Sequence, residues 1–516
     1  MKLISIVVAT SLALAYPSFA ADPISAKSES AVHADIEWRK DNDVDAAFAF
    51  AKANNKPLFL YWGAVWCPPC NQVKATIFNR ADFIDKSRHF VPVYLDGDSP
   101  GAQKLAARFK VRGYPTMILF KPDGSEITRL PGEVDAERYV QVLTRAMSAS
   151  LSVSDTLKLA LAGSKKLNVE DWSLLADYSW DDPEQKLISS KDLASSLLRL
   201  SDACPDKASA TRLYLKALVL SASVKPVESA PAIDKPQALA KVIKALSESR
   251  VARENIDLFT AAPGEVIVFL TAVNTEPRRK LSQTWNLALI KLADDTSLSK
   301  TDRLGAISGQ IVIATLASAR PELSLQKSVE KRVNQIERAT TDSYERQSVV
   351  NAAAHALADA DLLDASDVLL KAELSRSHSP YYFMSSLGAN AKKRGDNSTA
   401  LNWYEQAYNA AKGPATRLQW GVSYVNGIIE LSPMDEARIE KTAQQVLAEV
   451  ATTENAFFER NRTAMERMSK KIVEWSKDGK HQATLQKLRN QLDGICSKLP
   501  ANDSQRTSCM SLMQKS

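Results

Sequence analysis

The chain has 516 residues, with 66 Lys and Arg against 60 Asp and Glu, a net charge of +6, and 45% hydrophobic side chains. That length is too great for one hydrophobic core and implies several. The small charge excess is interleaved along the chain, which excludes a nucleic-acid surface as its main feature.

In chain order, residues 1–20 read as a secretory signal. Lys2 supplies the positive start, Leu3 to Ala15 the apolar stretch, and Ser18-Phe19-Ala20 a small-x-small cleavage site. The apolar stretch is short for a bilayer span and no later run reaches that length, so no membrane span is expected after signal removal. An uncleaved anchor is the alternative, and no cysteine stands close behind the signal to carry a lipid. The expectation is an exported protein, periplasmic in a Gram-negative bacterium, preceded by a loose polar stretch over 22–34.

From there the pattern alternates between helix and strand. A helix is predicted over 44–54, a buried strand over 57–62 and a helix over 70–81. A strand over 90–95, a helix over 100–110, strands over 115–121 and 125–130, and a closing helix over 135–147 follow. Ser99-Pro100 reads as a helix start. Pro122-Asp123-Gly124 reads as a hairpin turn, and Ser148 to Ser154 as a linker.

The chemistry lies between the first predicted strand and the second helix, in Trp66-Cys67-Pro68-Pro69-Cys70. With Cys67 at the N-cap, the two prolines occupy positions whose missing N–H groups matter least. The first backbone donor open to the Cys67 sulfur is then the N–H of Cys70. A helix start favours thiolate over thiol, which makes Cys67 the expected nucleophile and Cys70 the resolving thiol. A zinc site would need a second ligand pair, and His33, His89, His355, His378 and His481 show no such clustering, so neither metal nor other cofactor is expected.

Residues 35–148 resemble the thioredoxin family on these motifs. Lys56-Pro57 and its strand, Trp66-Cys67-Pro68-Pro69-Cys70, Val93-Tyr94-Leu95-Asp96 and Val111-Arg112-Gly113-Tyr114-Pro115-Thr116 fall in family order. The layout is similar to the thioredoxin domain of bacterial disulfide-interchange reductases, and Arg112 to Thr116 also resembles protein disulfide isomerases. The resemblance implies a central mixed sheet flanked by helices, a cis-proline at Pro115 and a substrate-docking surface of Trp66, Tyr114, Pro115 and Thr116. It implies a thiol–disulfide oxidoreductase acting on protein thiols and disulfides, with a membrane thiol reductase as electron donor.

Two departures qualify it. Many relatives carry a buried acid where this chain has Tyr61, so proton transfer at Cys70 is left to water or to a group such as Glu126 or Glu133. No histidine or other cation lies between the cysteines, which leaves Cys67 a less depressed pKa and favours reduction or interchange over oxidation.

Beyond the linker the composition changes. Only 11 of the 17 glycines fall in the residues after 150, and Ala, Leu, Lys and Glu recur at three-and-four spacing. Residues 155–516 are expected to be all-helical and solenoid-like, divided by the prolines of 224–236 (Pro226, Pro231, Pro236). Val266 to Phe269 has strand composition in a helical neighbourhood. Over 350–430, Leu387-Gly388, Ala400, Tyr404, Ala407 and Pro414 are spaced much like a tetratricopeptide unit. A weaker copy sits at Ala365, Leu369 and Ala372, and a further start at Trp420-Gly421 and Tyr424. Trp403 and Tyr404 are expected in the core.

Of five cysteines, Cys496 and Cys509 flank a good turn and are placed for a structural disulfide. Cys204 is left over, as a buried small side chain or a free thiol. Two functions remain open: an enzyme whose helical region recognises clients or the recycling reductase, and a helical-repeat adaptor whose redox module senses or docks.

Overall fold

A computed structural model describes residues 36–40, 44–99, 101–111, 113–130, 136–180, 187–223 and 233–514. The signal of 1–20, the stretch 22–34, His33, Pro100, Arg112, Glu133, Pro226 and Pro231 lie outside the described residues.

The first unit runs β1 (Arg39–Lys40), α1 (Val44–Ala53), β2 (Leu58–Gly63), α2 (Pro68–Val73, continued as a π turn over Lys74–Phe78), α3 (Ala81–Ser87), β3 (Val91–Asp96), α4 (Ala102–Phe109), β4 (Thr116–Phe120), β5 (Glu126–Leu130) and α5 (Ala136–Met147). The sheet order is β1-β3-β2-β4-β5. The first three strands are parallel, while β4 runs antiparallel to both β2 and β5. This is the thioredoxin-like fold that the resemblance implied.

β2 is buried along its whole length, and its period of two divides the core. Phe59 and Tyr61 join Met117 and Leu119 against α2, α3 and α5. Leu58, Leu60 and Trp62 join Ile118 and Phe120 against α1 and α4. The hairpin turns at Gly124, whose φ of 87° explains the glycine, and Asp123 Oδ1 accepts from Ser125 N at 2.9 Å.

Several boundaries differ from the sequence expectation. The helix predicted over 70–81 breaks after the π turn, because Arg80 is extended and restarts the chain as α3 with its guanidinium on Asp82. α4 begins at Ala102, after Gly101 in the left-handed region; Ser99 turns its hydroxyl back to Asp96 O instead of capping. The linker ends early. Ser152 caps α6 (Val153–Leu161), accepting from Asp155 N at 3.1 Å, so Val153 and Ser154 are already helical.

From α6 onward the described residues are helical. α7 (Val169–Asp177) opens on an Asn168–Asp171 capping box. After α8 (Ser190–Ala203), α9 (Lys207–Ser223) contributes Leu213 and Ala217 to one core and Tyr214 and Leu215 to the next. Pro236 lies in the first turn of helix Lys235–Ser247, capped by Asp234. Val266 to Phe269 belong to helix Pro263–Leu270.

Around 350–430 successive helices pack on one another, and one close approach is made at a glycine. A Cβ on Gly388 of helix Tyr381–Lys393 would meet the ring of Tyr404 on helix Asn397–Ala410. Trp403 packs at the edge of a core with Phe383 and Leu387. Cys496 and Cys509 form a disulfide with Cα atoms 5.6 Å apart, joining helix Gln482–Cys496 to helix Ser504–Met510. Among the described residues, no helix is long and apolar enough to cross a membrane.

Candidate active site

β2 ends at Gly63, and the turn that follows is pinned by Asn71 Nδ2 donating to Val65 O at 3.0 Å. That turn delivers Cys67 to the N-cap of α2, with φ −75° and ψ 114° and prolines in the first two helical positions. The N–H of Cys70 donates to Cys67 Sγ at 3.3 Å, the first donor left once Pro68 and Pro69 are excluded. The two cysteines form a disulfide with Cα atoms 5.2 Å apart.

The strand β4 faces them. The Tyr114–Pro115 peptide is cis, and Tyr114 O lies 3.5 Å from Cys67 Sγ. Thr116, opposite Trp62 in the sheet, donates its hydroxyl to Gly113 O at 2.9 Å. Gln103 Nε2 donates to the Tyr114 hydroxyl at 3.0 Å, and burial raises that hydroxyl's pKa despite the nearby Arg460 charge. The Trp66 ring meets Tyr114 edge-on, with centroids 6.0 Å apart. The structure therefore gathers Trp66, Cys67, Cys70, Tyr114, Pro115 and Thr116 at one end of the sheet. Cys496 and Cys509 stand in another core altogether.

Glu126 is not part of this cluster, contrary to its suggested role in proton transfer. It pairs with Phe120, which pairs with Leu58, so it sits at the end of the sheet opposite the cysteines. There Arg129 holds it at 3.2 Å and it accepts from the Tyr178 hydroxyl. Cys204 is a half-buried free thiol, its pKa pushed up to about 11 by burial, with Sγ 3.3 Å from Asp206 O. Among the described residues, no three His, Cys, Asp or Glu side chains gather as metal ligands would.

Sequence reasoning missed the residues that close over the site from the helical region. Tyr381, Ala407 and Ala411 share a cluster with Trp66, Cys67 and Cys70, and Tyr382, Ala410 and Trp420 pack against it. The Arg460 guanidinium lies 4.9 Å from the Trp66 ring centroid and 5.1 Å from that of Tyr114. Asp98, just after β3, accepts from Trp66 Nε1 at 2.9 Å. Nothing local marks these residues, since each acts across a long stretch of chain. The run Asp96-Gly97-Asp98-Ser99 reads only as a polar turn.

A cysteine pair at a strand-to-helix junction, facing a cis-proline, defines a thioredoxin-type redox domain. Residues 44–147 match the family model of a thioredoxin-like domain. The chain is 31% identical over 111 residues to a thiol:disulfide interchange protein, DsbD, of Pseudomonas fluorescens, covering 21% of this chain and 19% of that one. It is 30% identical over 94 residues to a thioredoxin of Mycolicibacterium smegmatis, covering 18% of this chain and 81% of that one. A solved structure titled DsbH oxidoreductase aligns at 20% identity and a TM-score of 0.20, over 22% of this chain and 85% of that one. Through this domain the chain belongs to the thioredoxin family, and the domain is that of a thiol–disulfide oxidoreductase. The chain spans about a fifth of the length of the interchange proteins it matches.

Proposed function

We propose that the whole protein is a periplasmic thiol–disulfide oxidoreductase that exchanges disulfides with protein substrates, in the reductase or interchange direction. One observation carries this reading: Cys67 caps α2, receives the Cys70 N–H, and faces the Tyr114–Pro115 peptide. In the reduced pair, the Cys67 thiolate attacks one sulfur of a client disulfide and expels the other as a thiolate. The resulting mixed disulfide is broken when the Cys70 thiolate attacks Cys67 Sγ. The client leaves with both sulfurs reduced, and its two electrons have come from the pair, now Cys67–Cys70 disulfide. A thiol donor restores the dithiol, and a membrane thiol reductase would serve.

Trp66, Tyr114, Pro115 and Thr116 form the client-docking surface in this reading. The absence of a cation between the cysteines supports the reducing direction. The signal-like residues 1–20 and the interchange proteins among the relatives support an exported location. The boundaries are a signal over 1–20, a redox domain over 35–148 and a helical region over 155–516, divided near 224–236. Within the last, degenerate tetratricopeptide-like pairs over 350–430 would offer a recognition surface, supported by the Gly388–Tyr404 contact. Cys496–Cys509 is the structural disulfide.

A second reading, an adaptor whose redox module senses or docks, is favoured by one observation: residues of the helical region share one buried cluster with both cysteines. Turnover separates the two. Catalysed reduction of a test protein disulfide, abolished by Cys67→Ser, is the enzyme's result. Inert thiols in an intact fold are the adaptor's.

A further inference from the structure

The sulfur that must meet a client is covered by another part of its own chain. Cys67 is 3% exposed and Cys70 0%. The cover is the corner between helix Asn397–Ala410 and helix Pro414–Leu431, flanked by Tyr382 and Arg460.

One carboxylate joins the two sides. Asp98 holds Trp66 Nε1, next to Cys67, and also accepts from Thr416 N at 2.8 Å and from the Thr416 hydroxyl. Thr416 is in the first turn of an 18-residue helix whose cap, Gly413, offers no side-chain acceptor. Asp98 therefore supplies from 318 residues away the anion that this helix start lacks. Gly413 is shaped for the same contact. Its φ is 84°, and a Cβ there would lie 2.6 Å from Asp98 Cγ.

The corner's remaining contacts, and one beside it, are modest. Tyr382 stacks on Trp66 at 6.1 Å, His378 Nε2 lies 3.1 Å from Val65 O, and Ala407, Ala410 and Ala411 present small apolar side chains. The 407–416 corner can separate without stranding a fully buried charge, since Asp98 is only half-buried.

We propose that the 407–416 corner, with Tyr382 and Arg460, is a lid latched at Asp98, and that it must lift before a protein disulfide reaches Cys67. The closed form is the resting state, and a client binds by selecting the open one. A lid of this kind sets which disulfides react by what can lift it. The proposal rests on Cys67 as the attacking sulfur. Access can nonetheless be read without turnover, so failure of catalysis and failure of the lid stay distinguishable.

The test is alkylation of full-length protein in a Cys70→Ser background, with iodoacetamide as probe and the Cys67 peptide quantified by mass spectrometry. Cys67 in the folded chain should react about tenfold or more slowly than in the urea-unfolded chain. Thr416→Val, which removes one bond to a charged acceptor, and Gly413→Ala, which pushes the corner off Asp98, should each speed the folded reaction about tenfold, equivalent to about 1.4 kcal/mol. Folded Cys67 reacting as fast as unfolded Cys67 overturns the proposal. So does protection that folded Thr416→Val and Gly413→Ala leave unchanged, since the shield would then be the redox domain itself. Should both variants fail to fold, the wild-type chain decides in rising urea. Exposure of Cys67 before global unfolding supports the lid, and exposure only with global unfolding overturns it.

Discussion

The redox domain touches the helical region on two faces, and the two are built differently. On the α5 and β5 side, Arg138 of the redox domain donates to Asp177 at 2.6 Å, and Asp177 is itself held within the helical region by Arg212, 1% exposed, at 2.8 Å, which also pairs with Asp257 at 2.7 Å. Lys216 Nζ donates to Tyr178 O at 2.6 Å, Ser179 N donates to Arg129 O, and Leu174 of α7 enters the redox domain's own core. On the cysteine side the 407–416 corner brings one shared carboxylate, a few stacked rings and three alanines. Beside it α2 packs on helix Ser343–Asp359, with buried Lys74 near the Tyr344 ring, and Gln72 Nε2 donates to Ser299 Oγ at 3.4 Å. Parting the first face would take Arg138 from the buried Asp177, break the Ser179–Arg129 backbone bond and draw Leu174 out of the redox domain's core. Lifting the 407–416 corner alone exposes groups that water can satisfy. The first face thus ties the redox domain into a buried ionic network, and the proposed lid lies on the second.

The largest expected effect lies on the fixed face. Arg212→Met leaves Asp177 and Asp257 buried without their shared cation, and should cost about 3–5 kcal/mol in urea unfolding. If that loss is absent, the contrast between the two faces fails. If Cys67 alkylation rises before global unfolding in this variant, the faces are coupled instead of independent.

A smaller effect comes from acid. Burial pushes the Asp257 carboxyl up, but the Arg212 charge and hydrogen bonds outweigh it and hold the pKa below the ordinary 3.8. A carboxyl with a depressed native pKa contributes stability that is complete above its unfolded pKa and is lost as pH falls through the native value. Urea midpoints should therefore hold above the usual Asp range and fall below it, and Asp257→Asn should flatten that part of the profile. A slope unchanged by the substitution would place the acid sensitivity elsewhere.

What the sequence made legible was local. β2 is a continuous apolar run, the cysteines sit at a helix start, and Gly113-Tyr114-Pro115-Thr116 opens the next strand; each signal spans a few residues. The two-residue β1 is too short to leave a pattern. Apart from Ala81, α3 lies beyond the helix expected over 70–81 and drew no expectation of its own, because its seven residues bury only Phe83 and Ser87 and carry no helical repeat. The lid was invisible for another reason. Asp98 and Thr416 are ordinary polar residues whose partnership exists only after 318 residues of chain have folded. Trp420 read only as the start of a repeat, which hid that it packs against the cysteine cluster.

The account stands most directly on the reversible chemistry of Cys67 and Cys70. Full-length protein equilibrated in graded thiol–disulfide buffers, with free thiols counted by mass, should show a two-electron transition confined to these two cysteines. Its midpoint should fall on the reducing side, near the roughly −270 mV of thioredoxins. A midpoint near the roughly −120 mV of strong periplasmic oxidants would reverse the proposed direction. A pair that never exchanges with the buffer in the folded chain, lid variants included, would contradict the account outright.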